Sequence, residues 1–139
     1  MSVAILETPE ATTVPVIEFV APMPGFPTDV RFVLVRVDES GLLFALTSVD
    51  SPGLRFLVVP PAPFFPEYEP EIDDETVAAL GTVDPADLLV LLVVTTGDAP
   101  GQATANLMAP IVLDQESRRA VQLVLGGSGH PVRAELMPA

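Results

Sequence analysis

Hydrophobic and polar residues alternate over several short stretches in the first half of the chain, which is the pattern of half-buried β-strands. Strands are predicted on this basis at residues 14–20, 31–37, 42–49 and 54–59. The last three are separated by short segments rich in Asp, Ser, Gly and Pro, the residues that tight turns require. We therefore expect these three strands to form an antiparallel meander. Pro15 cannot donate a hydrogen bond to a neighbouring strand, so it either places the first strand at a sheet edge or marks its beginning.

A short helix is predicted in the middle of the chain. Asp73 or Asp74 can cap its N-terminus, and acidic residues in its first turn suit the positive end of the helix dipole. Gly81 is placed to end this helix after Leu80. Asp84 and the proline that follows it predict one further helical turn.

The second half of the chain returns to strands. Residues 88–95 are almost entirely apolar on both faces, which predicts a strand at the centre of the sheet that is covered on both sides. Further strand segments are expected at residues 103–107, 111–113 and 130–136, and residues 119–125 are compatible with either a strand or a helix. The glycine-rich segment 126–129 is expected to join 119–125 to the last strand as a hairpin. Together these elements predict a mainly β domain.

The length of 139 residues is enough for one hydrophobic core but not for two. We therefore expect a single domain over residues 1–139, with frayed ends at residues 1–12 and 137–139. The longest unbroken apolar run has about seven residues, whereas a membrane-spanning helix needs about 20. The N-terminus also lacks the basic residues and the long apolar segment of a secretory signal. A cytoplasmic protein without a membrane partner is expected, with a monomer as the default.

Net charge is the strongest signal in the composition. The chain carries 19 acidic residues against six arginines and no lysine, which gives a formal net charge of −13. Such a charge repels nucleic-acid phosphates, so direct nucleic-acid binding is not expected. It would either attract a basic partner or keep a very apolar chain in solution. The chain has no cysteine and a single histidine, His130, which excludes disulfides, thiolate metal sites and a multi-histidine zinc site within one chain.

The most distinctive stretch runs from Phe64 to Glu75. Two adjacent phenylalanines and the only tyrosine, Tyr68, stand among prolines there, together with six carboxylates. The six are Glu67, Glu69, Glu71, Asp73, Asp74 and Glu75. No arginine occurs between residues 55 and 118, so nothing near in sequence neutralises this charge. We expect the aromatic residues to hold the loop on the body of the protein and the carboxylates to face outward.

Three interpretations of these carboxylates remain open. They form a surface that a basic partner meets, or they are a solvated acidic segment that leads into the helix. In the third interpretation, alternate acids at 67, 69, 71 and 73 bind a hard cation such as Ca²⁺, although the spacing is not that of an EF-hand loop. An acidic-loop metal-binding protein or a carboxylate enzyme of unknown substrate is therefore the alternative function.

No catalytic, cofactor-binding or metal site is assigned. The segment 126–129 lacks the lysine and the strand-to-helix setting of a phosphate-binding loop. No nucleophile elbow is present, and His130 stands between a glycine and a proline, where the entry to a strand is the simpler interpretation.

Asn106 lies inside an apolar stretch, where its side-chain amide must find hydrogen-bond partners or cost about 1–3 kcal/mol. The structural interpretation is a bulge or a crossing of strands at Asn106, with Pro110 as the stop. The functional interpretation is that Asn106 presents its amide to the backbone of a partner.

Five ordered motifs resemble the FliW family of flagellar assembly factors, over roughly residues 14–136. They are Pro22-Met23-Pro24-Gly25-Phe26, Leu46-Thr47-Ser48-Val49-Asp50 with the strand Leu54-Arg55-Phe56-Leu57-Val58, Phe65-Pro66-Glu67-Tyr68-Glu69, Thr104 to Val112, and the closing pair Gln122-Leu123-Val124-Leu125 and Pro131-Val132-Arg133. Three positions depart from the family pattern. Thr47 stands where the family usually has Gln, Glu67 where it has Asp, and His130 where a Tyr is common before the Pro.

The resemblance implies a fold, a function and partners. It implies a barrel-like architecture, so the expected fold class is a mainly β, single small antiparallel β-barrel-like domain with one or two short helices. It implies a non-enzymatic protein without a cofactor that binds flagellin in the cytoplasm and antagonises the RNA-binding translational repressor CsrA. The expected partner-binding residues are Glu67, Tyr68, Glu69, Glu71, Asp73, Asp74 and Asn106.

Overall fold

The computed structural model describes residues 16–23, 25–37, 42–51, 53–96, 103–125 and 129–136. Within these ranges the fold is mainly β, as expected, with nine strands and one α-helix. The elements are β1 (Ile17–Phe19), β2 (Arg31–Arg36), β3 (Phe44–Ser48), β4 (Arg55–Val59), α1 (Asp74–Leu80), a 3₁₀ turn (Pro85–Asp87), β5 (Leu88–Thr95), β6 (Thr104–Ala105), β7 (Ile111–Asp114), β8 (Arg119–Gln122) and β9 (Ala134–Glu135).

Seven of the described strands close into a barrel. They follow one another in the order β4-β3-β2-β1-β8-β7-β5, and pairing of β4 with β5 closes the ring. The strands β6 and β9 extend the sheet from β5 outside the ring. The expected meander is present, because β2 pairs with β3 and β3 with β4, both antiparallel.

The barrel interior is filled by the inward-facing apolar side chains of all seven strands. Phe32 is completely buried there, and its ring meets the edge of Phe19 at a centroid distance of 5.3 Å. Edge-to-face contacts of this kind add to the stabilisation that comes from burial alone. Leu46 and Ile111 also lie in the interior, and Phe56 packs against it.

Both faces of strand β5 are apolar, and each is covered by a different part of the molecule. Leu91 points into the barrel, whereas Leu92 and Val94 belong to a second apolar cluster on the outer side of the barrel wall. The same strand pairs with β4, β7 and β6. The prediction that residues 88–95 form a central strand covered on both sides is therefore confirmed.

The helix also follows its sequence signals. The Asp73 carboxylate accepts a hydrogen bond of 2.8 Å from the backbone N–H of Thr76, and Gly81 adopts a left-handed conformation at the C-terminus with φ 71°. A helix of seven residues has little stability by itself. Burial of Leu80 and a hydrogen bond from Ser117 Oγ to the Leu80 carbonyl attach it to the barrel.

One prediction about strand pairing was wrong. Residues 119–125 contain a strand, β8, but it pairs with β7 and, in parallel, with β1, and not with the last strand as a hairpin. The last strand, β9, pairs with β6 instead. Of the two alternatives for Pro15, an edge position for the first strand does not hold, because β1 has β2 on one side and β8 on the other. The strand itself begins at Ile17, two residues after Pro15.

Several strands are shorter than predicted. The segment 103–107 forms a ladder only at Thr104–Ala105, and the segment 130–136 only at Ala134–Glu135. The segment 111–113 gains one residue, Asp114. The predictions for residues 14 and 15, for segment 126–128 and for the frayed ends at 1–12 and 137–139 lie outside the described residues.

Candidate interaction surface

Residues 60–75, which we call the strap, run from the end of β4 into the first turn of α1 and cross the outer side of the barrel. Phe64, Phe65 and Tyr68 are half-buried and pack against the second apolar cluster. The buried members of that cluster are Val59, Leu92, Val94, Ala105 and Leu107. The aromatic side chains therefore hold the strap on the barrel wall, as expected from the sequence.

The strap is bent into tight turns instead of being hydrogen-bonded to a neighbouring strand. The N–H groups of Phe64 and Phe65 both donate to the carbonyl of Pro61, and Tyr68 N–H donates to the Phe65 carbonyl. The segment contains five prolines, whose fixed φ limits the conformations open to it.

Tyr68 connects the strap to the rest of the fold. Its hydroxyl donates a hydrogen bond of 2.6 Å to the backbone carbonyl of Leu107. Burial raises the pKa of Tyr68 to about 12, so the phenol is neutral and remains a donor at physiological pH. The ring of His130 meets the Tyr68 ring edge-on at a centroid distance of 4.9 Å. The sequence predicts only the entry to a strand at His130. No local pattern indicates its contact with Tyr68, which lies 62 residues earlier.

All six strap carboxylates are exposed to solvent. Asp73 has a structural task as well, because its hydrogen bond from Thr76 holds the pKa of Asp73 below its usual value. Glu67, Glu69 and Glu71 occupy alternate positions of the strap and are exposed to solvent. Asp74 follows them in the first turn of α1 and is exposed as well. The strap therefore presents an acidic surface of six exposed carboxylates, while its aromatic side chains pack on the barrel.

Asn106 lies beside this surface, one residue before the Leu107 carbonyl that Tyr68 contacts. Its Oδ1 accepts hydrogen bonds from the N–H groups of Met108, at 3.0 Å, and Ala109, at 3.1 Å. Its own N–H donates to the Val93 carbonyl. The Asn106 side chain caps the turn where the chain leaves β6, and this turn stands in place of the predicted bulge or crossing of strands. A contact between Asn106 and a partner stays a prediction.

A second polar cluster was not found by sequence reasoning. The carboxylate of Asp29, 7% exposed, accepts hydrogen bonds from the hydroxyls of Ser48, at 3.0 Å, and Ser51, at 2.5 Å. Ser48 Oγ in turn accepts from the N–H groups of Asp50 and Ser51. These bonds join the segment before β2 to the turn between β3 and β4. Asp29 is 19 residues from Ser48 and 22 residues from Ser51, so no local sequence pattern indicates these bonds.

The described residues offer no preassembled metal centre: they contain no group of three or more His, Asp or Glu side chains placed to hold a metal ion. In the same part of the chain, no helix is long and apolar enough to cross a membrane.

The sequence matches the family model described as FliW protein over residues 3–136. This chain belongs to the FliW family. The flagellar assembly factor FliW of Bacillus subtilis is 35% identical over 124 residues, which cover 86% of this chain and 87% of that protein. The protein of the same name from Geobacillus kaustophilus is 32% identical over 123 residues, with 88% and 85% covered. A crystal structure of the flagellar assembly factor FliW matches the fold with a TM-score of 0.82 at 31% identity, and covers 89% of this chain and 86% of that one.

Two of the FliW-like motifs meet in the structure. The motif of residues 65–69 supplies Tyr68, and the motif of residues 104–112 supplies the Leu107 carbonyl that accepts its hydrogen bond. Asn106 of the second motif caps the turn that contains this carbonyl. The tyrosine of one motif and the asparagine of the other thus act together to place the FliW strap.

Proposed function

We propose that this chain is a non-enzymatic flagellar assembly factor that binds flagellin in the cytoplasm and antagonises CsrA, the RNA-binding repressor of flagellin translation. When flagellin is exported, the freed factor would sequester the repressor and so relieve repression of flagellin synthesis. Membership of the FliW family and the names of its relatives support the assembly role. The observation that carries the repressor interaction is the acidic surface of the strap.

The charge of this surface suits an RNA-binding partner. A repressor that binds RNA presents basic groups to phosphates. Six exposed carboxylates on one strap attract such a protein and would repel RNA bound to it over about 8 Å, the Debye length at physiological ionic strength. The antagonism would then work even if the strap did not occupy the RNA site itself.

The test is a pair of variants that remove the same amount of charge from different places. Glu67→Gln, Glu69→Gln and Glu71→Gln together remove three of the six strap charges, and Asp73 is left unchanged because it caps α1. The matched control combines Glu18→Gln, Glu116→Gln and Glu135→Gln, which are exposed positions off the strap. Association with the purified repressor is measured by stopped flow at low and high salt.

We expect the strap variant to associate about tenfold more slowly at low salt and with a shallower salt dependence, because electrostatic steering acts mainly on the association rate. The control should keep most of the wild-type rate. Equal rates for the two variants would show that net charge matters and that the strap does not. A pull-down with purified flagellin tests the other partner separately.

A further inference from the structure

The strap contains an internal conflict between charge and packing. Glu67, Glu69 and Glu71 recur at every second position, and all three are exposed. Cα atoms two residues apart lie at most about 7 Å from each other, which is within a Debye length, so the carboxylates repel one another. None of the three forms a salt bridge with another described residue. The ion pair found among the described residues, Arg31–Asp50, does not involve the strap.

Few contacts hold the strap on the barrel. Phe64, Phe65 and Tyr68 are only half-buried, and residues 60–73 belong to no described helix or strand. Among the described residues, one side-chain hydrogen bond joins residues 60–73 to the barrel: the Tyr68 hydroxyl donates to the Leu107 carbonyl. The cluster beneath the aromatic residues is separate from the barrel interior. Segments with such limited packing open at a lower free energy than the core.

We propose that the strap is a charge-sensitive lid, which opens over the second apolar cluster without unfolding of the barrel and is closed by screening or neutralisation of its carboxylates. The inference does not depend on flagellin or the repressor, since it concerns the isolated chain. It adds a consequence for binding. A basic surface that docks on the strap would tighten it over the second cluster, whereas loss of that surface would loosen it.

Amide hydrogen exchange of the full chain tests the lid. The reporters are the N–H groups of Phe64, Phe65 and Tyr68, which are hydrogen-bonded only within the strap, and the controls are the paired amides of β2 and β3. Between 10 and 300 mM NaCl we expect exchange of the reporters to slow by about fivefold, because salt screens the repulsion. The intrinsic exchange chemistry cannot produce this slowing. Carboxylates repel hydroxide, so screening them speeds exchange of an open amide.

Three variants separate charge from packing. The variant with Glu67→Gln, Glu69→Gln and Glu71→Gln should exchange slowly at low salt and lose the salt response. The control with Glu18→Gln, Glu116→Gln and Glu135→Gln should keep that response, since its charges lie elsewhere. Tyr68→Phe removes the bond to Leu107, so we expect exchange about fivefold faster at both salt concentrations with the salt response intact.

The lid is refuted if exchange of the reporters does not change with salt, if β2 and β3 respond equally, or if the strap variant responds like the wild type. A failure to bind the repressor would leave these outcomes unchanged, so the two proposals can fail independently. Thermal unfolding of each variant confirms that the barrel is folded, and the glutamine variants test the lid even if Tyr68→Phe does not fold.

Discussion

The hydroxyl of Tyr68 and the backbone carbonyl of Leu107 are 2.6 Å apart, although the two residues are separated by 39 positions in the chain. This bond joins the strap to the turn that Asn106 caps, and the edge contact with His130 adds the C-terminal segment. The position of the acidic surface therefore depends on three segments that are distant in sequence. A substitution in any one of these segments is expected to alter the position of the strap.

Tyr68 should titrate above the usual range of a tyrosine. Burial raises its pKa to about 12, whereas an exposed tyrosine in the unfolded chain titrates near 10. The folded state keeps the proton between these values, so the stability contributed by neutral Tyr68 is lost as pH rises from about 10 through about 12. The chain has one tyrosine and no tryptophan, so tyrosinate absorbance reports this residue alone. A midpoint near 10 in the folded protein would contradict the burial.

Replacement of Asn106 should separate its structural task from a contact with a partner. Asn106→Ala deprives the N–H groups of Met108 and Ala109 of their acceptor, and should lower the free energy of unfolding by about 1–3 kcal/mol. Asn106→Asp keeps an oxygen at that place and should recover most of the loss in urea unfolding. If both variants lose equally, the turn does not depend on Oδ1.

The same pair of variants tests the partner contact predicted from the sequence. The aspartate lacks the Nδ2 donor, so a folded Asn106→Asp protein that binds flagellin and the repressor normally would exclude a contact made through that donor.

Asp114 should make stability fall at acid pH. It is 1% exposed, and burial acts to raise its pKa. The nearby Thr82 hydroxyl and the N–H groups of Ser117 and Glu116 favour the charged form more strongly, so the net pKa lies below its usual value.

A lowered pKa means that the stability from Asp114 is present above about pH 4, the usual range of aspartate, and is lost as pH falls through the folded-state value. Asp114→Asn should reduce the free energy of unfolding at pH 7 by about 1–2 kcal/mol and flatten its decline in acid. Urea unfolding measured from pH 7 to pH 2 gives both quantities. An acid decline as steep as that of the wild type would assign the effect to other carboxylates.

Two leucines of equal burial should have different effects on the strap. Leu92 lies in the second cluster and Leu46 in the barrel interior, with exposures of 0% and 1%. Replacement of either by Ala should cost about 2–5 kcal/mol in unfolding free energy, because each leaves a cavity. Only Leu92→Ala should also lower the titration midpoint of Tyr68, since it loosens the packing beneath that ring. A shift of the same size in Leu46→Ala would mean that the two clusters are not independent.

Local structure could be predicted wherever a strand or helix carries its own signal. The alternation of residues 31–36 predicts β2, and Asp73 with Gly81 predicts both ends of α1 to within one residue. The outward carboxylates and inward aromatic side chains of the strap also follow from the residues themselves. Burial of an apolar ring lowers the free energy, whereas burial of an unpaired charge raises it.

Strand partners could not be predicted in the same way. Residues 119–122 carry the composition of a strand, but a hairpin to the last strand and the observed parallel pairing with β1 are equally compatible with that composition. Closure of the barrel decides between them, since it leaves no place beside β8 for a third neighbour. The contact of Tyr68 with Leu107 joins segments 39 residues apart, and the cluster of Asp29 with Ser48 and Ser51 depends on the pairing of β2 with β3.

The sequence by itself determined where the chain is extended, where it turns and which segment carries the uncompensated charge. These properties depend on backbone preferences and solvation, which act over a few residues. Only the tertiary structure decided that the acidic segment lies across a second apolar cluster on the outer wall of the barrel, joined by Tyr68 to a turn near residue 107. That arrangement depends on which surfaces exclude water together, and this is a property of the closed barrel as a whole.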